Sequence, residues 1–531
     1  MKINIICTSI QPMRANKIQG FSKTITKRFF HLEYLFVAVG TVLYSILSLW
    51  RHFTFNSSSY DLGIFDQAIW QLSRFHFGPA TVRGLPNLFA DHFHPLLILI
   101  SPLYWVWDNV VILLIFQAAV VSLGALPLFW IAKYYLKSRP AAYIIAFSYL
   151  LFFGVQNAIY FDFRPETLVA AFFLFAFWFA LDKRYLLYSL SIFLLLISKE
   201  NVAFYVLFLG LYFLIFQRKY LLGAATAAAG LAWGFVTLYF IIPYFNKGAY
   251  IYFSTYSGLG NSTSEILKTI ITNPVHTLQV LVTPARKIKT ILYIFGSGGF
   301  LAFLSPSAMF MAIPFIGERF LSSIQNRWLN YYHYDIHLAP LVYIGAVIGI
   351  KNILSFVSPK ILKFKPIFLL YGLVLLVFLG SFATNLRFNQ LHKIFSPAYY
   401  KGGERQISDQ KAMDLIPARA KVAATNTLVP HLSHRDDIWD IVSSKGAEKA
   451  DYVLIDGKDP WFGYRDEVAK NKCPQFKSCQ IEDLLAGLDQ SSAYGLVFSE
   501  NNAALFKKGA SDTASLSREL TEIAKKGKAS K

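Results

Sequence analysis

The chain has 531 residues, of which 55% are hydrophobic, 17% aromatic and only 15% charged. A soluble protein carries about a quarter charged residues, and apolar runs long enough to span a bilayer recur along most of this chain, so a water-soluble globular protein is excluded and a polytopic membrane protein with a small soluble part remains. The net charge of +20 reads as a positive-inside bias plus contact with anionic membrane lipids; no nucleic-acid-binding motif accompanies it, so nucleic acid is not expected as a partner.

Residues 1–32 carry Arg14, Lys17, Lys23, Lys27 and Arg28 ahead of the first long apolar run, without a clean cleavage site. They read as a cytoplasmic tail rather than a signal peptide. The first span, 33–50, then leaves the cytoplasm, and 51–108 forms a first outer loop of mixed polar and aromatic character.

Two aspartates lie in that loop, in DLGIFDQ (61–67). Leu62, Phe65, Ile69 and Leu72 fall on one stripe, which predicts a helix lying along the membrane surface. Asp61 follows three serines, where an N-cap belongs. One reading makes Asp61 the cap and leaves Asp66 solvated. The other makes Asp61 a carboxylate facing a cleft between bundle and soluble domain. On a helix the two point about 140° apart, too far to share a proton or a metal. If one is catalytic, Asp61 is preferred, because the helix start presents it to the cleft.

DHFHP (91–95) sets His92 and His94 on one face of an extended segment, as metal ligands can be, but no third or fourth ligand follows at a suitable spacing. Interfacial hydrogen bonding is the other reading. HPLLILISPLYWVW (94–107) has prolines at 95 and 102, which weaken it as a full span, and predicts an interfacial or re-entrant helix.

The span 109–132 ends at Lys133, Lys137 and Arg139, which belong inside, and 141–157 goes out again. The outer loop FDFRPE (161–166) holds Asp162, Arg164 and Glu166, either as a local ion pair or with Arg164 forked onto a phosphate. The span 167–181 returns to Asp182, Lys183 and Arg184, and 185–198 goes out to Lys199 and Glu200. Charges abutting so little loop are costly unless paired or functional. They either pair with each other or give a phosphate-binding lysine at the bilayer edge.

Spans 202–216 and 221–243 are followed by a long outer segment, 244–289, with Arg286, Lys287 and Lys289 in TPARKIK. Cations outside suit anionic headgroups or the phosphate of a lipid-linked substrate. Short spans at 290–304 and 306–318 precede an outer loop, 319–337, with Tyr331, Tyr332, His333, Tyr334, Asp335 and His337, readable as interfacial aromatic belt or as a polar site. The span 338–350, an inner stretch with Lys351, Lys360, Lys363 and Lys365, and the span 366–384 complete the membrane domain, 33–385. The sum is about eleven spans, N-terminus inside and C-terminus outside.

Residues 386–515 read as an extracytoplasmic α/β domain, with a linker at 401–410 and buried strands at VAATN (422–426) and YVLID (452–456). The loops NTLVPHLSHR (426–435) and DYVLIDGKDPWFGY (451–464) suit a polar ligand or docking onto the bundle. The three cysteines, Cys7, Cys473 and Cys479, form neither CxxC nor a zinc spacing; a bond between the last two requires an oxidising compartment. Residues 516–531, rich in Lys, Ser and Ala, read as a disordered tail.

The order DLGIFDQ, DHFHP before LLILISPLY, FDFRPE, SKENVAFYVLFLGLY, YYHY before a span, NTLVPHLSHR and DYVLIDGKDPW resembles the domain-of-unknown-function family 2079 of bacterial and archaeal predicted membrane proteins, over residues 35–465. That family is similar to GT-C glycosyltransferases, polytopic enzymes that use polyprenyl-phosphate sugars outside the cytoplasmic membrane. The resemblance implies a GT-C-like helical bundle topped by a soluble domain, with an essential first-loop aspartate at Asp61. It departs from several GT-C branches in that no second acid follows Asp61 directly.

The resulting expectation is an inner-membrane glycosyltransferase that moves a sugar from a polyprenyl-phosphate donor to a hydroxyl of a glycan, lipid or protein acceptor. Asp61 and Asp66 are the candidate catalytic groups, and Arg164, Lys199, Arg286 and His333 the candidate donor-phosphate ligands. Glu166, Glu200, His92, His94 and Tyr332 are candidate substrate contacts, the soluble domain would hold the acceptor, and a divalent metal is left open. The alternatives are a transporter or flippase, with ionisable groups near mid-membrane, and a non-catalytic envelope-assembly scaffold, with no converging acid–base cluster.

Overall fold

A computed structural model describes residues 31–248, 250–357, 366–388, 390–442, 444, 447–460 and 481–529. The basic N-terminal tail up to residue 30, the three cysteines, the end of the 451–464 loop, and Lys360, Lys363 and Lys365 lie outside the described residues.

Five described helices are long and apolar enough to cross a membrane: Leu32–Phe53, Val111–Leu136, Tyr220–Asn246, His333–Phe356 and Pro366–Phe388. A sixth candidate is the pair Arg139–Leu151 and Phe153–Tyr160, bent by 41°. Several other expected spans are short apolar helices, among them Tyr185–Leu196 and Val202–Ile215. The latter has 14 residues; at about 1.5 Å per residue it rises about 21 Å, less than the ~30 Å hydrocarbon core. The expected count of eleven is therefore not reached by helix length. Val202–Ile215 packs tightly on Tyr220–Val236 because glycines face each other: a Cβ on Gly210 would lie 2.3 Å from the backbone nitrogen of Ala227.

The segment 94–107, expected as one interfacial or re-entrant helix, forms two short helices, Leu96–Ile100 and Leu103–Val106, with Trp105 and Val106 exposed. The stripe beyond DLGIFDQ differs from its expected place. Helix Ile64–Ser73 carries Phe65 and Ile69 into a core shared with Leu97, Ile100 and Leu113 of the bundle and Val422, Leu428 and Val429 of the C-terminal domain. It is covered by protein rather than resting on lipid.

The C-terminal domain is a five-stranded sheet of order β2-β1-β3-β5-β4. Its strands are β1 (Val422–Ala424), β2 (Ile438–Asp440), β3 (Tyr452–Asp456), β4 (Tyr494–Glu500) and β5 (Ala503–Lys508). The first three are parallel and the last two antiparallel to their neighbours. β1 and β3 fall where the buried apolar runs placed them.

Two expectations for this region are corrected. The linker at 401–410 is largely the start of helix Glu404–Asp414, which buries Ser408, Asp409, Ala412 and Met413. The tail is not disordered at 518–529: Arg518–Ala529 is a helix whose Leu520 and Ala524 share a core with Leu484 and Leu485 of Ile481–Asp489. In both, polar composition hides a short apolar stripe.

Candidate functional site

Leu32–Phe53 ends at Thr54, and the chain enters the turn Ser59–Gly63, wide enough for the Gly63 N–H to donate to the Ser58 carbonyl at 3.2 Å. Ser58, not Asp61, is the cap: its hydroxyl accepts from the Tyr60 N–H at 3.2 Å. Asp61 is thereby released for another partner, and it is buried, at 4% exposure. Its carboxylate pairs with Arg164.

Arg164 comes from the FDFRPE loop, which the buried side chain of Gln117 fixes from within the span Val111–Leu136. The Gln117 amide donates to the Asp162 carbonyl at 2.9 Å, and its oxygen accepts from the Arg164 N–H at 2.8 Å. Asp162 adopts φ +92°, a conformation costing a non-glycine residue about 1–3 kcal/mol. Its side chain is held by Arg51 at 2.6 Å and by the Ser58 N–H at 2.9 Å. The loop and the Asp61 turn are thus one braced unit.

From Asp61 the charges continue as a ladder. Arg164 also reaches Glu166 at 2.8 Å, so the local ion pair exists, and Lys199 reaches the same Glu166 oxygen at 3.0 Å. Lys199 therefore pairs across the fold and not with its neighbour in sequence. Glu200 instead takes His92 at 2.6 Å, the Phe93 N–H at 3.0 Å and the Tyr250 hydroxyl at 2.7 Å. Burial pushes Glu200 up, but the His92 charge and hydrogen bond, with Lys199, bring it down to about 2. His92 stacks on Tyr252 at 4.2 Å.

The ladder retains unspent hydrogen-bonding capacity. Among the buried atoms without a partner are Arg164 Nε, Glu166 Oε2, His94 Nε2 and both ring nitrogens of His333. His94 donates from Nδ1 to the Ser198 carbonyl at 2.7 Å, so a neutral ring turns a bare acceptor at Nε2. Burial pushes the His94 imidazole down to about 4, which keeps it neutral. His333 feels the charges of Arg164, Glu166 and Lys199. Buried polar groups are ordinarily satisfied, and a cluster of exceptions is where a ligand or water is expected.

Asp61 itself is pushed up to about 6, first by burial and against the pull of Arg164, with Asp162 and Glu166 adding to the rise. A carboxylate titrating there is close to the range a general base needs near neutral pH. Asp61, Glu166, Arg164 and Lys199 sum to no net charge, so an incoming anion would meet a balanced site with spare donors rather than a bare cation.

The remaining candidates divide. Asp66 is fully buried but shares no partner with Asp61; Tyr104, Ser433 and His434 bind it, the last at 3.2 Å. It is neither solvated, as one reading held, nor part of the ladder. Arg286 is exposed at the start of helix Arg286–Gly296 and does not join Arg164 and Lys199. Its neighbour Lys287 is spent on the carbonyls of Val280 and Phe320, at 2.7 and 2.6 Å. Tyr332 packs edge-on against Phe161 at 5.2 Å. Among the described residues no group of three or more His, Cys, Asp and Glu is placed to hold a metal. Arg51 and Gln117 were missed in the sequence, where a polar residue near or within an apolar run gives no hint of its partner.

Fold and site together define a class: a polytopic membrane protein with buried acid–base groups at the ends of its helices, beneath an α/β domain. Within it, residues 51–505 match the family model described as "Predicted membrane protein (DUF2079)", and the chain belongs to that family. No curated protein matches the chain. Among solved structures it is similar to ArnT from Cupriavidus metallidurans bound to undecaprenyl phosphate, at 14% identity and a TM-score of 0.45, over 76% of this chain and 85% of that one.

Proposed function

We propose that the protein is a membrane glycosyltransferase that moves a sugar from a polyprenyl-phosphate donor to an acceptor hydroxyl. The observation that carries this reading is the ladder: a buried Asp61 on the first loop, joined through Arg164 and Glu166 to Lys199, with unpartnered polar atoms beside it. The motif order of the sequence supports it independently. A scaffold has no need of such convergence. A transporter would carry ionisable groups midway along its spans, whereas Asp61, Arg164, Glu166, Lys199 and His333 all lie at helix ends.

In the proposed step the acceptor hydroxyl gives its proton to the Asp61 carboxylate as its oxygen attacks the anomeric carbon. The bond from that carbon to the phosphate oxygen breaks, and its electron pair leaves on the polyprenyl phosphate. Arg164 and Lys199 offset the charge that develops there, and His333 supplies a hydrogen bond. The lipid tail lies against the apolar helices. Lys133, Lys183, Arg218 and Lys351 lie towards the helix ends remote from the ladder in chain order; with the positive-inside rule, this supports an outer-face position for the ladder and the C-terminal domain.

The test is release or transfer of sugar from a panel of radiolabelled polyprenyl-phosphate sugars by the purified full-length protein, beside Asp61→Asn. Turnover in wild type that disappears in the folded variant supports the reading. Full activity in Asp61→Asn defeats the role given to that residue.

A further inference from the structure

The C-terminal domain has the layout in which α/β sheets take ligands. β2, β1 and β3 run parallel, and the segments after their carboxyl ends gather along one edge, where open sheets of this kind bind small molecules. Thr425, Asn426 and Thr427 follow β1, Asp440 ends β2 and Asp456 ends β3. In this chain the β1 and β2 part of that edge is filled by the turn that carries Asp61, while Asp456 at the end of β3 is taken by Arg405 and Asn502.

The fit is specific. The Ser59 N–H donates to the Asn426 carbonyl at 3.1 Å and lies 3.3 Å from Asn426 Oδ1. The Ser59 hydroxyl donates to Asp440 Oδ2 at 2.5 Å, and the Asn426 amide donates to the same oxygen at 3.0 Å. Ser59, Asn426 and Asp440 are 1%, 4% and 0% exposed, so these bonds form away from water. At the other end of the turn, a Cβ on Gly63 would come within 2.9 Å of Val429 Cγ1; the glycine of DLGIFDQ is required by the approach of the domain. Before the turn, His431 lies between His52 and Phe55, its ring centre 4.1 Å from each. The bundle holds the opposite side, through Asp162 to the Ser58 N–H and through Arg164 to Asp61.

We propose that the carboxyl edge of β1 and β2 is the seat of the Asp61 turn, and that Asn426 and Asp440 are positioning residues for Asp61. The proposal rests on the reading of Asp61 as the proton acceptor. It assigns the β1 and β2 part of the domain's ligand edge to the chain itself, so an acceptor is not held there. Ser59 and Asp61 are two residues apart in one rigid turn, so a shift at Ser59 is passed to the carboxylate, and a misplacement of about 1 Å can cost about 10²-fold in rate.

The test reads Asp61 directly. Infrared pH titration of the full-length protein in nanodiscs, taken as the difference from Asp61→Asn, follows the Asp61 carboxyl. Wild type should titrate near 6. Asn426→Ala and Asp440→Ala, by loosening the seat and admitting water, should move the midpoint towards the ordinary value of about 3.9. Asp440→Asn keeps an acceptor for Ser59 and should recover most of the wild-type value. Ser59→Ala leaves the domain untouched and should shift the midpoint as well, so the idea stays testable if the domain variants fail to fold. With a donor in hand, the same variants should lose about 10²-fold in kcat with KM little changed. Folded Ser59→Ala or Asn426→Ala with a wild-type Asp61 midpoint overturns the proposal. Shifted midpoints in a protein that turns over no donor leave the seat standing and remove only the glycosyltransferase reading.

Discussion

Asp61 and Asp66 stand five residues apart in one motif, and the fold treats them in opposite ways. Asp66 receives Tyr104, Ser433 and His434, so a carboxylate with no exposure is fully answered by donors from the bundle and the domain. Asp61 is buried nearly as deeply, yet its partner Arg164 keeps an unpartnered atom, as do Glu166 and, beside Glu166, His94 and His333. A buried acid with every bond made is a fastening. A buried acid among unmade bonds is where a ligand is expected, and the role proposed for Asp61 rests on that contrast.

The contrast can be broken from either side. The largest effect is expected at Asp66: Asp66→Ala leaves a buried phenol, a hydroxyl and an imidazole without their acceptor. It should cost about 3–5 kcal/mol, read as a lowered melting temperature. Burial pushes His434 down, but the carboxylates of Asp66 and Asp108 outweigh it and raise it. This pair therefore stabilises fully below the unfolded value of about 6.5, and its contribution is lost as pH rises through the higher folded value; Asp66→Ala should weaken that pH dependence, leaving the part due to Asp108.

On the other side, Lys199→Met should lower kcat by about 10²–10³ with a smaller effect on melting. A selective rise in KM would instead make Lys199 a ground-state binding group. The pH profile sharpens the comparison further. Asp61 acts as a base only when ionised, so kcat/KM should climb through pH 6, where its carboxyl titrates, and flatten above. A profile level from about pH 5 to 7 would remove Asp61 as the base. The smallest effect is expected at the exposed Arg286, where Arg286→Ala should stay within about 0.5 kcal/mol in stability and leave turnover near wild type.

Much of this organisation was legible in the chain. The bundle, β1 and β3, the failure of 94–107 to form a full span and the grouping of polar motifs at helix ends follow from local hydropathy and turn residues. Partner choice was not. Lys199 selects Glu166 rather than the adjacent Glu200, and Asp66 finds Ser433 and His434, because contacts between distant segments are set by packing that no local pattern encodes. Ser58 took the cap expected of Asp61, since three serines, Ser57 to Ser59, lead up to Asp61 and periodicity cannot say which one ends the extended segment. The helices Glu404–Asp414 and Arg518–Ala529 were hidden by charge-rich composition.

The most direct test sets the two aspartates against each other. Wild type, Asp61→Asn and Asp66→Asn would be compared in the same nanodiscs for cleavage of a polyprenyl-phosphate sugar, with rates expressed per folded molecule. The account predicts a loss of about 10²–10⁴-fold for Asp61→Asn, with melting close to wild type, and the reverse for Asp66→Asn: a lowered melting temperature with turnover largely kept. Turnover retained in Asp61→Asn and abolished in well-folded Asp66→Asn would contradict it.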